Sequence, residues 1–262
     1  MERMDVLKNY YTTHDEDARL VSKRGSVEFL TTIRYIEKYL KSGMRILEIG
    51  AGTGRYSHYF AQKDYTVDAV ELMECNIDVF KRNTRPGENI TIQQGDAVDL
   101  YNIESDKYDI TLLLGPMYHL YNEEDKLSAI SEAIRVTKRG GIVFSAYCNN
   151  DSTVYSFGFV RGGFKGGAYD HLIDFETFKL SSTPKEVFTL YRKEEIDSLM
   201  SHFNTQRLHY VGTDMITRFI GSTVDEMDDD TFALYMKYHF SICERADMVG
   251  ASNHVLDVFR KR

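Results

Sequence analysis

Residues 48–54 read Glu-Ile-Gly-Ala-Gly-Thr-Gly, with glycines at positions 50, 52 and 54. Alternate glycines let a backbone turn sharply and leave no Cβ between the chain and a ligand. A dinucleotide fingerprint needs the spacing G-x-G-x-x-G, but the sixth position is Arg55 counted from Gly50 and Ser57 counted from Gly52. A phosphate-binding P-loop fails as well, because no Gly-Lys-Ser/Thr follows. The spacing therefore fits a nucleoside without a diphosphate. Glu48 points the same way, since a carboxylate there repels phosphates and attracts an ammonium or sulfonium group.

The elements around this loop are those of a βα corner. Ile46-Leu47-Glu48-Ile49 has the length and composition of a buried parallel strand, and Tyr56, Tyr59 and Phe60 recur at helical spacing. A strand, a glycine turn and a helix form the usual seat of a nucleotide. Ahead of it, Val27–Leu40 places Phe29, Ile33, Ile36 and Leu40 on one helical face, and Lys41-Ser42-Gly43 ends that helix.

With its later motifs in order, the stretch resembles motif I (E-x-G-x-G-x-G) of the class I S-adenosylmethionine-dependent methyltransferases, over residues 30–150 and more weakly to the C-terminus. The resemblance implies a doubly wound α/β fold, with a seven-stranded, mostly parallel Rossmann-like sheet whose last two strands are near-antiparallel. The cofactor implied is S-adenosylmethionine, leaving as S-adenosylhomocysteine. Gly50, Gly52 and Gly54 admit its methionyl part. Glu71 ends the second strand (Thr66–Glu71) and accepts the ribose hydroxyls, with Leu72 and Met73 flanking the adenine. Asp96, in Gly95-Asp96-Ala97 after a third strand at Ile90–Gln94, takes the adenine amino group; it is also suited to cap a helix. Tyr11 is placed to stack near the sulfonium and Arg24 to pair with the methionyl carboxylate. Between them stands an acidic patch, His14 to Asp17, followed by Arg19.

The fourth strand, Tyr108–Leu114, is the most hydrophobic and runs into Gly115-Pro116-Met117-Tyr118-His119. Enzymes that methylate base or glutamine amides carry Asn/Asp-Pro-Pro-Tyr/Phe here. The departure Leu114-Gly115-Pro116-Met117 resembles the small-molecule, type 11 branch. Tyr118 and His119 then face the junction of cofactor and acceptor. In-line displacement at the sulfonium methyl needs a base only when the acceptor is protonated, and His119 and His171 are the candidates.

A helix over Glu123–Thr137, Gly140-Gly141 and a strand at Ile142–Tyr147 complete the core. Residues 149–192 then break the βα rhythm. Tyr155, Phe157, Phe159, Phe164 and Tyr169 are interspersed with Gly158, Gly162, Gly163, Gly166 and Gly167, the composition of a mobile cover over a pocket. The expected organisation is one domain: an N-terminal lid (1–26), a cofactor-binding core (27–148), an aromatic and helical cap (149–192) and a C-terminal part of the sheet with a helical insertion (193–262). That last part is expected to hold a helix at Glu194–Phe203, a strand at Gln206–Val211, a long helix at Phe232–Met248 and a strand at Asn253–Phe259.

Composition sets limits on partners. The chain has 262 residues and a net charge of −8, with no clustering of its basic residues, so a nucleic-acid partner is not expected. Three scattered cysteines, without a C-x-x-C pair, argue against zinc and a disulfide scaffold and suit a reducing cytoplasm. No apolar run reaches the roughly 20 residues of a membrane span, and the N-terminus lacks the apolar core of a signal peptide. A small-molecule substrate, no metal, and a monomer or homodimer are expected. The alternatives are a non-catalytic S-adenosylmethionine-binding protein, an NAD(P)-dependent oxidoreductase, and a protein or RNA methyltransferase.

Overall fold

The computed structural model describes residues 3–13, 20–167 and 169–262. The acidic patch at 14–17 and Arg19 lie outside these. An N-terminal helix α1 (Arg3–Thr13) precedes α2 (Lys23–Glu37). Then come β1 (Arg45–Ile49), α3 (Arg55–Ala61), β2 (Thr66–Glu71), α4 (Glu74–Asn83), β3 (Ile90–Gln94), β4 (Tyr108–Leu113), α5 (Glu123–Val136) and β5 (Thr137–Asn149). The remainder holds α6 (Asn150–Thr153), β6 (Ile173–Asp174), β7 (Lys179–Leu180), β8 (Leu190–Tyr191), α7 (Lys193–Met200), β9 (Thr205–Gly212), α8 (Gly221–Glu226), α9 (Asp229–Ile242) and β10 (His254–Lys261).

The main sheet runs β3-β2-β1-β4-β5-β10-β9, and β8 pairs with the end of β5. β10 is antiparallel to both β5 and β9, so the last two strands oppose one another while the rest run parallel. Alternation along each strand divides the core into two layers. Leu47 and Ile49 of β1, Leu113 of β4 and Val143 of β5 pack with α5 and α7 on one face. Ile46, Ile110, Leu112 and Phe144 pack with α2 and α3 on the other. Both faces are covered, which is why these strands read as continuous apolar runs. The sheet order reverses between β1 and β4, and doubly wound sheets open a crevice at that point.

Local chemistry sets several boundaries. Ser22 caps α2, its hydroxyl accepting from Gly25 N at 3.2 Å, so the helix begins four residues earlier than its apolar face. Asp228 caps α9 by accepting from Thr231 N at 2.7 Å, and that helix ends at Ile242, short of Met248. Lys138–Gly141 form a bulge, because Tyr108 pairs with Thr137 while Ile110 pairs with Ile142. Residues 149–192 fold into α6, a π-helical turn at Val154–Val160, the β6–β7 hairpin and β8. Asn150, fully buried, fastens the hairpin by donating to Phe178 O and accepting from Leu180 N, both at 2.9 Å. Among the described residues, no helix is long and apolar enough to cross a membrane.

Candidate active site

The turn after β1 is drawn onto β2 by two hydrogen bonds, as Gly50 N and Ala51 N both donate to Val70 O at 2.8 and 3.0 Å. Gly50 and Gly54 hold φ of +73° and +88°, a region that side-chain-bearing residues avoid. The space a Cβ would take at each is occupied by a neighbouring side chain. A Cβ on Gly50 would stand 2.6 Å from Cδ of Pro116, and one on Gly54 would stand 2.4 Å from the Phe80 ring. The glycines thus seat Pro116 and α4 against the turn. Gly50 and Gly52 still line the cleft, so the close packing of Gly50 and Gly54 adds a structural need for glycine to the expected one.

Behind the turn lies an acidic floor. Glu71 is 5% exposed; its Oε2 accepts from Gly52 N at 2.8 Å, and its Oε1 accepts from Met73 N at 2.9 Å and Asn76 Nδ2 at 3.2 Å. Burial pushes its pKa up against the pull of these donors. A carboxylate has about four acceptor sites, so capacity remains for one ligand hydroxyl without breaking an internal bond. Glu48, 2% exposed, accepts from the Ser57 hydroxyl. Burial pushes its pKa up to about 8, and the neighbouring charge of Glu71 adds to the rise. At neutral pH Glu48 is therefore mainly a neutral acid. The expected standing negative charge appears only when a cation displaces its proton. Asp96 begins no helix; its Oδ1 accepts from Val98 N at 3.3 Å in a tight turn.

One cleft at the carboxyl ends of β1, β2 and β4 is lined by most of the expected residues. Tyr11, Glu48, Gly50, Gly52, Glu71, Leu72, Asp96, Ala97, Leu114, Tyr118 and His119 face it. Gly54 sits behind the wall. Arg24 is not brought there: its Nε pairs with Asp225 at 2.8 Å and its backbone N donates to the same carboxylate, fixing α8 to the start of α2. His171 is exposed and lines a neighbouring cavity, away from this cleft.

His119 ends a 3-10 turn, Pro116–His119, that follows β4 directly. Its Nδ1 lies 2.9 Å from the carbonyl of Val187 and its Nε2 lies 2.8 Å from the Tyr11 hydroxyl. A carbonyl only accepts, so Nδ1 carries the proton, and in the neutral ring Nε2 accepts from Tyr11. Val187 holds φ +67°, a strained position for a β-branched residue, and its carbonyl also accepts from the Tyr121 hydroxyl at 2.7 Å. The Tyr118 hydroxyl donates to Leu114 O at 2.9 Å.

The neighbouring cavity shares Tyr11 and Tyr118 with the cleft and extends to Phe157, Phe188, Arg218 and His254. His254, at the start of β10, has Nδ1 3.0 Å from Asp214 and 3.3 Å from Glu28, which hold it protonated well above the usual imidazole range despite its burial. Asp214 also accepts from the Ser252 hydroxyl and from the backbone of Asn253 and His254. These three side chains could converge on a cation, but the filled acceptors of Asp214 mark an ion network. Sequence reasoning missed Phe188, Arg218 and His254. They lie some 70 to 135 residues from Tyr118 and His119, and only folding brings them beside those residues.

The cleft discriminates among cofactors. Three carboxyl groups line it against one arginine, Arg55, whose guanidinium lies 4.9 Å over the Phe29 ring. That donor set suits hydroxyls and a cation and opposes a pyrophosphate. Residues 46–141 match the family model described as a methyltransferase domain. This stretch is a class I S-adenosylmethionine-dependent methyltransferase domain. Its cofactor is S-adenosylmethionine, with which the acidic lining agrees. A ubiquinone biosynthesis O-methyltransferase of Pseudomonas fluorescens is 27% identical over 125 residues, which are 47% of this chain and 53% of that one. The chain thus spans about half the length of the curated relative it matches. Two solved structures share the fold. One is a methyltransferase of Thermotoga maritima described as a possible histamine N-methyltransferase (TM-score 0.58, 15% identity, all of both chains). The other is the magnesium protoporphyrin IX methyltransferase of Synechocystis with bound S-adenosylhomocysteine (TM-score 0.57, 13% identity, 91% of this chain and 83% of that one).

Proposed function

We propose that the protein methylates a hydroxyl group of a small-molecule acceptor held in the cavity under the cap. The reading is carried by one observation: the cofactor cleft and the cavity meet at Tyr11 and Tyr118. Oxygen as the accepting atom is supported by the O-methyltransferase relative. When bound, S-adenosylmethionine supplies a sulfonium methyl open to in-line displacement. In this reading Glu71 and Asp96 hold the nucleoside end, and Glu48 faces the cationic end after giving up its proton. The chain's remaining tasks are to align the acceptor, exclude water and take a proton. Tyr11 and His119 form the path for that proton. The acceptor hydroxyl passes its proton to the Tyr11 oxygen as the Tyr11 proton moves to Nε2 of His119, with Nδ1–H anchored on Val187. Residues 149–192 act as the lid over the acceptor. His171, at the cavity and not at the cleft, serves acceptor binding in this scheme and not proton removal.

Calorimetric titration with S-adenosylhomocysteine and, separately, NAD tests the first half. The former is expected to bind and the latter not, and Glu71→Gln is expected to weaken the former roughly tenfold or more, through loss of a charged acceptor. Binding of NAD with no response to S-adenosylhomocysteine would refute the reading. Release of S-adenosylhomocysteine in the presence of phenolic acceptors tests the second half.

A further inference from the structure

The cavity under the cap has a charge pattern opposite to that of the chain. The net charge is −8, yet the charged side chains facing this cavity are mainly cationic, with Lys185, Arg218 and the protonated His254 against Glu186. Arg218 ends a 3-10 turn, Met215–Arg218, and reaches the cavity. It makes no hydrogen bond or ion pair among the described residues. Desolvation and the nearby charge of Arg161 lower its pKa, against the opposing pull of Asp214 and Glu28. The acid closest in sequence, Asp214, is taken up by Ser252, Asn253 and His254. Lys185 also lines the cavity, and its ammonium has no side-chain partner among the described residues. Among the described residues the one carboxylate facing the cavity, Glu186, accepts from the backbone N and hydroxyl of Thr183. Tyr10, Phe157, Tyr169 and Phe188 supply flat apolar walls.

Arg218 is exposed and lines the cavity, and the two carboxylates near enough to act on its charge, Asp214 and Glu28, pair instead with His254, so its fork is open to an entering anion. Arginine's planar fork matches a carboxylate through two parallel hydrogen bonds, which a lysine cannot reproduce. From this geometry we infer that the acceptor is an aromatic carboxylate, its acid group held by Arg218 and its ring lying between the aromatic walls towards Tyr11 and Tyr118. The inference rests on the methyl-transfer reading above and adds the substrate class.

The test uses the full chain saturated with S-adenosylhomocysteine, titrated calorimetrically with 4-hydroxybenzoate, 4-hydroxycinnamate and their neutral amides. The acids are expected to bind roughly tenfold or more tightly than the amides, the difference a charge-assisted hydrogen-bonded pair makes. Arg218→Gln is expected to abolish that preference and Arg218→Lys to retain part of it, while S-adenosylhomocysteine affinity and thermal unfolding stay as in the wild type. Equal binding of acid and amide, a preference that survives Arg218→Gln, or binding by none of the acids would overturn the inference and leave the methyl-transfer reading standing. Failure of S-adenosylhomocysteine itself to bind would overturn both.

Discussion

Replacing Glu48 by Gln isolates the energetic consequence of a buried acid beneath the cofactor loop. The amide has nearly the same shape, still pairs with Ser57, and is neutral at every pH. In the folded chain burial lifts the Glu48 pKa from about 4.5 to about 8. Its folded state therefore holds a proton that the unfolded chain gives up. That stabilisation is fully present below pH 4.5 and is lost as pH rises through 8. At about 1.36 kcal/mol per unit, the wild type should lose roughly 5 kcal/mol relative to Glu48→Gln across this interval. Because Glu71 and other acids titrate in both proteins, the difference between the two stability curves is the quantity to read. Urea denaturation of the ligand-free proteins at half-unit steps from pH 4 to 9 supplies it. The curves should converge in acid and separate towards pH 8, with the amide variant the more stable. Parallel curves would show that Glu48 is ionised in the folded protein and that its burial is compensated by groups this reasoning does not count. Loading with S-adenosylhomocysteine near pH 7 should release protons in the wild type and fewer in the variant, detectable by calorimetry in buffers of different ionisation enthalpy.

Arg207→Ala strands Asp257, which is fully buried on β10 and held by two bonds from that guanidinium at 2.6 and 2.8 Å; a loss of roughly 3–5 kcal/mol in denaturant stability is expected. Gly54→Ala places a Cβ 2.4 Å from the Phe80 ring at φ +88°, so it should destabilise by roughly 1–3 kcal/mol and weaken S-adenosylhomocysteine binding, read by thermal unfolding and calorimetry. Tyr11→Phe removes the hydroxyl bonded to Nε2 of His119; kcat with a phenolic acceptor should fall by roughly 100-fold or more while S-adenosylhomocysteine affinity stays within a few fold. An unchanged kcat would remove Tyr11 and His119 from the proton path.

The order of strands and helices through residue 148 was legible in the sequence, because local patterns carry it. Apolar runs bounded by turns marked β1 to β5, and the spacing around Gly50 disfavoured a dinucleotide. Glu71 and Asp96 could be placed because they end strands whose carboxyl ends must meet at the switch point. What a residue's neighbours do to it was not legible. Glu48 reads as an anion in sequence and becomes a neutral acid once the core closes over it. Arg24 reads as a carboxylate ligand, but the helical insertion folds back and supplies Asp225 instead. Gly50 and Gly54 read as loop glycines, but that Pro116 and Phe80 pack where their Cβ atoms would stand follows only from the fold. His254, Arg218 and Phe188 carry no motif at all, since their common cavity is made by contacts between segments distant in the chain. Periodicity and turn chemistry are properties of neighbouring residues, so the sequence states them directly. Protonation, pairing and cavity shape depend on long-range contacts, so only the tertiary structure decides them.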